Sequence, residues 1–494
     1  MASTAKNTFY LLSAYIYQKL ISLFYFILLA RYLGADNFGK YTFAISFAAL
    51  FSVLIDFGLF SVLTREVARD KSKTKEYFSN ILGFNIIAGL SVLVFIYIVI
   101  NALGYPMATK NLVYFSAIII FLDTIALSFY ALFRGHLNTK YESLGIIFHK
   151  TALLLVGIVL IYLKVQLVLM LLPLLIASLF YLGNAIFFLK RKLGTWPIPR
   201  FNKKILKRLL KISWPFFIAA IFAKLYATSD TIILSYLSGD KFVGWYSAAM
   251  KLVNAFLLLI AGSLSAALYP SLSYYFIRSK QKLSSLFAKS VFYLILVTIP
   301  LAVGLFVLAK PIILFVYGTE YLAAVMILMI LTLSIPFMFL DFIVSALLNA
   351  CEKQKINTLI HGIGVFVFIG LNLILIPMFA HLGAAWAVFG GFLTLFILEI
   401  YLAKKLVKLD KKYLLNRFSL IILNSLIMGA VIFLIKDKIH IIFSVIFGVL
   451  VYFSLSYLFG LVQKKEILFL KSMIRFKQSS SLSDQTNDQI QGKN

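Results

Sequence analysis

Apolar segments long enough to cross a lipid bilayer follow one another along almost the whole chain. A membrane-spanning helix needs about 20 consecutive residues that are mostly apolar, and 62% of the 494 residues are apolar whereas 13% are charged. A core in water could not bury so many large hydrophobic side chains. Segments such as residues 88–100 also lack the alternation of polar and apolar residues that barrel strands require. The sequence therefore predicts an all-α polytopic membrane protein.

The hydropathy pattern predicts fourteen transmembrane helices. They are expected near residues 8–33, 40–63, 78–103, 110–133, 143–163, 166–189, 212–236, 242–272, 290–309, 322–350, 356–378, 382–403, 417–435 and 441–462. We expect two parallel-repeat six-helix bundles around a central cavity, with two extra C-terminal helices.

Five units follow from this pattern. They are an N-terminal bundle (1–190), a basic amphipathic cytoplasmic linker (191–211), a C-terminal bundle (212–405), helices 13 and 14 (406–465) and a polar cytoplasmic tail (466–494). Within the linker, residues 203–211 place apolar side chains along one side of a basic helix. This pattern predicts an interfacial helix that joins the two bundles.

Basic residues lie mostly on one side of the predicted helices. Of 47 Lys and Arg, 35 fall in the N-terminal segment, alternate loops and the tail, while the intervening loops carry eight. Since cytoplasmic loops are enriched in Lys and Arg, we predict a multi-pass protein of the cell membrane with both termini cytoplasmic. We call the two sides the basic face and the opposite face. The net charge of +29 is attributed to orientation against anionic lipid, and nucleic acid is excluded as a partner.

The sequence offers little metal-binding chemistry. It has a single cysteine, Cys351, and five histidines that lack the spacing of a ligand set. We therefore predict no disulfide, no metal site and no cofactor. A proton or Na⁺ is retained as a candidate coupling ion.

An internal repeat links the two predicted bundles. A shift of 205 positions superposes parts of helices 1 and 2 on helices 7 and 8, and a shift of 218 superposes part of helix 4 on helix 10. The matching pairs are Lys19/Lys224, Leu20/Leu225, Ile27/Ile232, Leu29/Leu234, Gly34/Gly239, Gly39/Gly244, Tyr41/Tyr246, Ala44/Ala249, Phe121/Phe339, Leu122/Leu340 and Asp123/Asp341. Because six helices separate them, these are parallel repeats, which are typical of transporters that work by alternating access.

Basic residues within the predicted helices are candidate binding residues. A charge at mid-membrane costs about 2.5–3.5 kcal/mol unless it meets water or a partner. Lys19 and Lys224 occupy equivalent mid-helix positions, so we expect them to line a central cavity from both sides. Arg31, Lys150 and Lys251 are further candidates for the same substrate-binding site. Internal salt bridges or snorkelling to the membrane surface are the alternatives, above all for Lys150 and Lys251, which lie nearer the helix ends.

Acidic residues within the predicted helices form a second candidate set. They are Asp56, Asp123, Asp230, Asp341 and Glu399. We interpret Asp123 and Asp341 as counterions of the lysines or, alternatively, as coupling sites for a proton or Na⁺. Asp56 lies close in sequence to Arg65 and Glu66, which favours a charge network at the end of that helix.

Two groups of residues resemble motifs of a known transporter family. Residues 229–239 (SDTIILSYLSG) and 243–252 (VGWYSAAMKL) resemble its helix 7 and 8 signature, and residues 33–39 (LGADNFG) and 56–59 (DFGL) resemble its opening motifs. That family is the polysaccharide-transporter family of oligosaccharidyl-lipid flippases, within the multidrug/oligosaccharidyl-lipid/polysaccharide exporter superfamily. The resemblance covers the chain to about residue 405, and helices 13 and 14 are similar to those of its fourteen-helix branch.

The resemblance implies a flippase that moves a polyprenyl-diphosphate-linked oligosaccharide from the cytoplasmic to the outer leaflet for cell-surface polysaccharide biosynthesis. Lys19, Lys224 and Lys251 would supply positive charge for the diphosphate in a wet cavity. Membrane lipid and other polysaccharide-assembly membrane proteins are the further candidate partners.

Two other functions stay open at this stage. A cation-coupled multidrug exporter of the same fold would need an acidic cavity, yet helix 1 carries Lys19 and no mid-span acid. A membrane glycosyltransferase or polymerase acting on lipid-linked sugar would need a large external loop, whereas the predicted external loops are short. We therefore predict a transporter and not an enzyme.

Overall fold

Helices account for nearly all of the described structure. The computed structural model describes residues 2–194, 198–408 and 411–461, and no β-strand occurs within those ranges. The predicted all-α class is confirmed. The predicted polar tail, residues 466–494, lies outside the described residues.

Fifteen α-helices follow one another in these ranges. They are α1 (Ala2–Asp56), α2 (Leu59–Arg69), α3 (Thr74–Ala102), α4 (Met107–Gly135), α5 (Lys140–Tyr162), α6 (Leu172–Leu193), α7 (Lys203–Ser238), α8 (Asp240–Leu257), α9 (Ser263–Arg278), α10 (Lys280–Val307), α11 (Ala309–Val316), α12 (Ala324–Ala350), α13 (Gln354–Leu406), α14 (Lys411–Ile435) and α15 (Ile441–Leu458).

Two of these helices are too long to cross a membrane once. The apolar stretch is 48 residues long in α1 and 53 residues long in α13. At 1.5 Å per residue these stretches would be about 72 and 80 Å long, whereas the hydrocarbon core is about 30 Å thick. The backbone breaks at Gly34 (φ 71°) in α1 and at Ala380 (φ 47°) in α13. Across the first break, Phe26 and Phe38 meet with ring centroids 4.5 Å apart. Each of these helices is therefore a hairpin with two arms.

Counting both arms of α1 and α13 gives the number of crossings. Twelve stretches are long and apolar enough to span a membrane, and the two hairpins raise this number to fourteen. A π-turn at Leu258–Gly262 joins α8 and α9 into a single crossing. The predicted fourteen helices of a multi-pass membrane protein are thus confirmed, although hydropathy did not reveal the breaks that separate α2 and α11 from their neighbours.

The predicted interfacial helix between the halves is not a separate element. Residues 203–211 form the first turns of α7. Leu206 and Leu209 on its apolar side are buried, Leu209 within the core of the first half. The backbone N–H of Asn202 donates to Asn80 Oδ1 of α3 at 2.7 Å. The prediction was wrong on this point because the apolar side packs on protein and not on lipid.

The repeat appears in the structure as a reciprocal contact between the first half (residues 2–194) and the second half (residues 198–406). A Cβ atom on Gly39 would overlap the backbone oxygen of Asp240, and one on Gly244 would overlap that of Ala35. Both contacts join residues related by the 205-residue shift. Such mutual exchange of partners is the signature of a two-fold axis, so the two halves are related by pseudo-two-fold symmetry.

Further bonds join the halves at the opposite face, and we call this region the opposite-face clamp. Glu320, in the connection between α11 and α12, accepts from the backbone N–H of Ala35 at 2.7 Å, and its carbonyl oxygen accepts from Trp245 Nε1 at 2.9 Å. The Tyr321 hydroxyl donates to the Ala30 carbonyl at 2.9 Å. The clamp therefore holds both halves together at that end of the molecule.

A second contact between the halves lies nearer the basic face. The chain breaks between α1 and α2 at Phe57 (φ 50°) and Gly58 (φ 73°), and this turn presents Phe57 to Phe217 of α7, with ring centroids 3.8 Å apart. A side chain at Gly58 would meet the backbone of α7. The motif DFGL at residues 56–59 is thus the turn that lets the second arm of α1 approach α7.

Candidate functional site

Three lysines from distant parts of the sequence lie near one another, and we call them the lysine cluster. Lys251 of α8 is within electrostatic range of Lys19 in the first arm of α1 and of Lys150 in α5. Each lies about 16–22 Å along its helix from the opposite-face end, at 1.5 Å per residue. The cluster therefore sits at mid-membrane depth and draws residues from both halves.

The lysine cluster has no close acidic partner in the described ranges. No carboxylate oxygen lies within 4.0 Å of Lys19, Lys150 or Lys251 there. Lys251 is exposed and lies 4.5 Å from the ring centroid of Phe26. Like charges gathered at this depth are costly unless water or an anion reaches them. The three ammonium groups therefore form a cationic patch between the two halves.

Packing between α1 and α5 sets the positions of two of these lysines. The Tyr17 hydroxyl lies 2.7 Å from Thr151 Oγ1, next to Lys150 in sequence. Farther along α1, the ring of Tyr25 packs against Gly157 of α5, where an added Cβ would overlap that ring. These contacts fix the rotation of both helices, which directs Lys19 and Lys150 to a common region.

Lys224 does not belong to the lysine cluster. Lys224 precedes Gly239 by the same number of residues as Lys19 precedes Gly34. The two lysines therefore lie at equivalent depths, as the repeat predicts. The charge within electrostatic range of Lys224 is the carboxylate of Asp56, which also accepts from the N–H of Phe60 at 2.9 Å. Lys224 therefore feels Asp56 at longer range across the α1–α7 contact, and it does not join Lys19 as the second wall of one site.

Arg31 lies in the opposite-face clamp and not near the cluster. Its Nε donates to the Val316 carbonyl at 2.6 Å, and its guanidinium also donates to the Phe315 carbonyl. Within the described residues, Asp56 makes no hydrogen bond or ion pair with Arg65 or Glu66, so the expected network at that helix end is not formed. Glu66 instead lies 3.0 Å from Arg65.

The first half contains an Asp–His pair beside the cluster. Asp123 Oδ1 of α4 lies 3.9 Å from His149 Nε2 of α5. Lys150, the next residue in α5, is within electrostatic range of the same aspartate. Asp123 therefore faces His149 directly and Lys150 only at longer range.

The second half repeats this pair with different surroundings. Asp341 Oδ1 of α12 lies 3.6 Å from His361 Nε2 of α13. Glu399, on the second arm of α13, is fully buried, and its Oε2 has no hydrogen-bond partner in the described chain. Ser345 Oγ lies 3.1 Å from His361 Nε2 and 3.4 Å from Glu399 Oε1. No lysine belongs to this group.

The acidic group of the second half has the geometry of a cation site. Asp341, His361 and Glu399 each offer one ligand atom, and these atoms lie within 4.8 Å of one another. Two carboxylates this close need a proton or a cation between them. The sequence predicted no metal site and missed both histidines. The sequence did contain a pattern that indicates these histidines. Each repeated aspartate is followed by a histidine on the next helix, 26 residues later in the first half and 20 residues later in the second.

Asp230 has a different environment from the other acids. It is buried, and its Oδ2 accepts from the Tyr246 hydroxyl at 2.5 Å. The residues related to this pair by the 205-residue shift are Tyr25 and Tyr41, which also face each other. Asp230 is therefore part of a repeated buried pair near the clamp and not of the lysine cluster.

An apolar groove of about 520 Å³ runs between the second half and the two C-terminal helices. α10 supplies residues such as Leu296 and Pro300, and α14 and α15 supply Met428 and Val449. The hydroxyl of Tyr452 in α15 donates to the Leu296 carbonyl at 2.8 Å, which anchors these helices to α10. The edge of the groove reaches Leu252 of α8.

Family comparison matches this architecture. Residues 4–276, more than half of the chain, match the family described as polysaccharide biosynthesis protein. The chain belongs to this family. Residues 215–374 also match the MatE family, in keeping with the repeat that relates the halves. The predicted polysaccharide-transporter family is thus confirmed.

Two curated relatives extend this result. An uncharacterised membrane protein of Methanocaldococcus jannaschii is 28% identical over 54% of this chain and 52% of its own length. The probable low-salt glycan biosynthesis flippase Agl15 of Haloferax volcanii is 25% identical over 52% of this chain and 55% of its own length. The chain thus spans about half the length of these relatives.

A solved structure shares the whole fold. The lipid II flippase MurJ, in an inward closed conformation, aligns with a TM-score of 0.75 at 19% identity and covers 90% of this chain and 97% of its own. This similarity shows that the chain, a member of the polysaccharide biosynthesis family, has the same fold as that structure. Agl15 and MurJ are both described as flippases.

Proposed function

We propose that this protein is a flippase for a polyprenyl-diphosphate-linked oligosaccharide used in cell-surface polysaccharide biosynthesis. The lysine cluster carries the proposal, because a group of mid-membrane ammonium ions without a close carboxylate is suited to a multiply charged anion. The names of Agl15 and MurJ, both flippases, support the class of substrate.

The composition of the cluster suggests how binding drives movement. Lys19 and Lys150 belong to the first half, and Lys251 belongs to the second. A diphosphate bound between them relieves the repulsion among the three ammonium groups and attracts both halves at once. Rocking of parallel repeats around a fixed central site is the usual basis of alternating access, and the opposite-face clamp would open during this movement.

The apolar groove supports a substrate with a long hydrocarbon chain. Its walls are almost entirely apolar, and it lies beside the helix that carries Lys251. A polyprenyl chain in this groove would stay in an apolar environment while its diphosphate and sugar occupied the cavity. A small organic cation, the substrate of the alternative multidrug exporter, would need neither the groove nor a cationic cluster.

Orientation and coupling complete the proposal. We place the basic face in the cytoplasm of the cell membrane, since basic loops stay on that side, so that flipping runs from the cytoplasmic to the outer leaflet. We assign the coupling ion, a proton or Na⁺, to Asp341, His361 and Glu399. The carboxylate oxygens are suited to Na⁺, a hard cation, and the carboxylates and the imidazole can each accept a proton.

A flipping assay in sealed vesicles tests the cluster. Lys251→Gln removes the charge contributed by the second half, so transport of a lipid-linked oligosaccharide should fall at least about tenfold while the protein remains inserted and folded. Lys164→Gln makes the same chemical change in an exposed loop and should transport at the normal rate. Normal transport by Lys251→Gln would contradict the proposal.

A further inference from the structure

The acidic group of the second half contains a nitrogen donor beside its two carboxylates. His361 Nε2 lies 3.6 Å from Asp341 Oδ1, and Glu399 offers a third ligand atom within 4.8 Å of both. Imidazole nitrogen is a favourable ligand for Zn²⁺ and related transition metals, whereas sites built of oxygen alone suit Mg²⁺ and other hard cations. One imidazole and two carboxylates therefore form a ligand set for a divalent transition metal.

The spacing of these atoms fits such an ion. Zn²⁺ binds nitrogen and oxygen ligands at about 2.0–2.2 Å in a tetrahedral arrangement, which places two ligand atoms about 3.3–3.6 Å apart. The separation of His361 Nε2 from Asp341 Oδ1 is 3.6 Å. The third atom, from Glu399, lies no more than 4.8 Å from either of these two atoms. A shift of its side chain by about 1 Å therefore completes the site.

Two oxygens of this group are buried without a partner. Glu399 is fully buried, and its Oε2 has no hydrogen-bond partner in the described chain. Asp341 Oδ1 likewise lacks a hydrogen-bond partner there. Buried charged groups are normally paired or coordinate a metal, so these two oxygens are suited to a shared cation.

A polar cavity gives an ion access to this group from the basic face. It has a volume of about 540 Å³, and its lining includes Asp341, Ser345 and Asn349 of α12 together with Ser265 and Tyr269 of α9. The three α12 residues are four positions apart, so they follow one face of the helix for about 12 Å. The last of them is one residue before the end of α12. Water in this cavity can fill the coordination positions that the protein leaves open.

We propose that Asp341, His361 and Glu399 bind a divalent transition-metal ion of the Zn²⁺ class, which reaches them through this cavity and excludes the coupling ion. The bound metal would connect α12 to both arms of α13. Exclusion of the coupling ion rests on the proposed function, whereas metal binding does not. A transition metal in the medium would therefore inhibit flipping without touching the lysine cluster.

Calorimetry of Zn²⁺ binding to the untagged full-length protein in nanodiscs tests the metal site. The protein should have a single high-affinity site, and His361→Gln should weaken it at least about tenfold. His149→Gln is the matched control, because it removes the histidine of the equivalent pair in the first half. Within the described ranges that pair has no third ligand, so the control should bind Zn²⁺ as tightly as the wild type.

Ion selectivity gives a second measurement that needs no variant. Mg²⁺ and Ca²⁺ prefer oxygen ligands, so the wild-type protein should bind each at least about tenfold more weakly than Zn²⁺. Equal affinities for Zn²⁺ and Mg²⁺, or unchanged Zn²⁺ binding by His361→Gln, would overturn the metal site.

Transport separates metal binding from the function on which inhibition rests. In sealed vesicles, Zn²⁺ should inhibit flipping by the wild type over the concentration range in which it binds. Mg²⁺ at the same concentration also binds phosphate groups of the substrate, so it is the control and should not inhibit. Binding of Zn²⁺ without inhibition would overturn the exclusion of the coupling ion, although the metal site itself would stand.

Discussion

The two halves contain the same Asp–His pair and surround it with opposite charge. In the first half, Asp123 and His149 lie beside Lys150, whereas in the second half Asp341 and His361 lie beside Glu399. The repeat thus supplies equivalent backbone positions, and a single neighbouring side chain sets the polarity of each. The pair in the first half has a cationic neighbour and the pair in the second half has an acidic one.

This difference gives a physical basis for coupling within one symmetric scaffold. A substrate anion at the lysine cluster would contact both halves, whereas a coupling cation at the acidic group would contact the second half alone. In the proposed rocking of the two halves as units, binding at either place would bias the same movement. The fold therefore need not bring the two ligands into contact.

Reversing the charge in the first half should have the largest effect. Lys150→Glu would give the first half the same polarity as the second and place a carboxylate facing the substrate diphosphate. Two unit charges 4 Å apart interact by about 4 kcal/mol at an effective dielectric constant of 20, so flipping in vesicles should fall by about a hundredfold or more. Lys164→Glu in an exposed loop is the matched control. A Lys150→Glu protein that is abundant and active would show that the polarity of the first half is irrelevant to transport.

Substitutions at the reciprocal glycines should have smaller and nearly equal effects in both halves. Gly39→Ala and Gly244→Ala each place a Cβ where a backbone oxygen of the other half lies, and such overpacking costs about 1–3 kcal/mol. The clamped state should lose stability to a similar extent in each, seen as lower thermal stability and greater labelling of a cysteine introduced at Ser235. Gly183→Ala, where no atom lies within 4 Å of the added Cβ, is the control. Strongly unequal effects would show that the two halves are not equivalent at the clamp.

Hydropathy and the repeat predicted the helices, their number and the pseudo-symmetry, because burial in lipid forces long apolar segments. The mid-membrane depth of Lys19 was also accessible from sequence, whereas Lys150 and Lys251 were expected nearer the helix ends. The convergence of the three lysines was not accessible, because it depends on the rotation of each helix about its axis, which contacts such as Tyr17 with Thr151 determine. The same reason explains why Lys224 was assigned to the wrong neighbours.

The central claim is that the lysine cluster between the halves binds an anionic substrate, whereas the acidic group of the second half (Asp341, His361 and Glu399) binds a cation. It is tested most directly by measuring polyprenyl diphosphate affinity and the dependence of flipping on pH and Na⁺ in two neutralised variants, Lys150→Gln and Glu399→Gln. The account predicts that Lys150→Gln loses lipid affinity at least about tenfold but keeps its dependence on the ion. It predicts that Glu399→Gln binds the lipid normally and loses that dependence. The account would be contradicted if each variant lost both lipid affinity and ion dependence, or if neither variant lost either property.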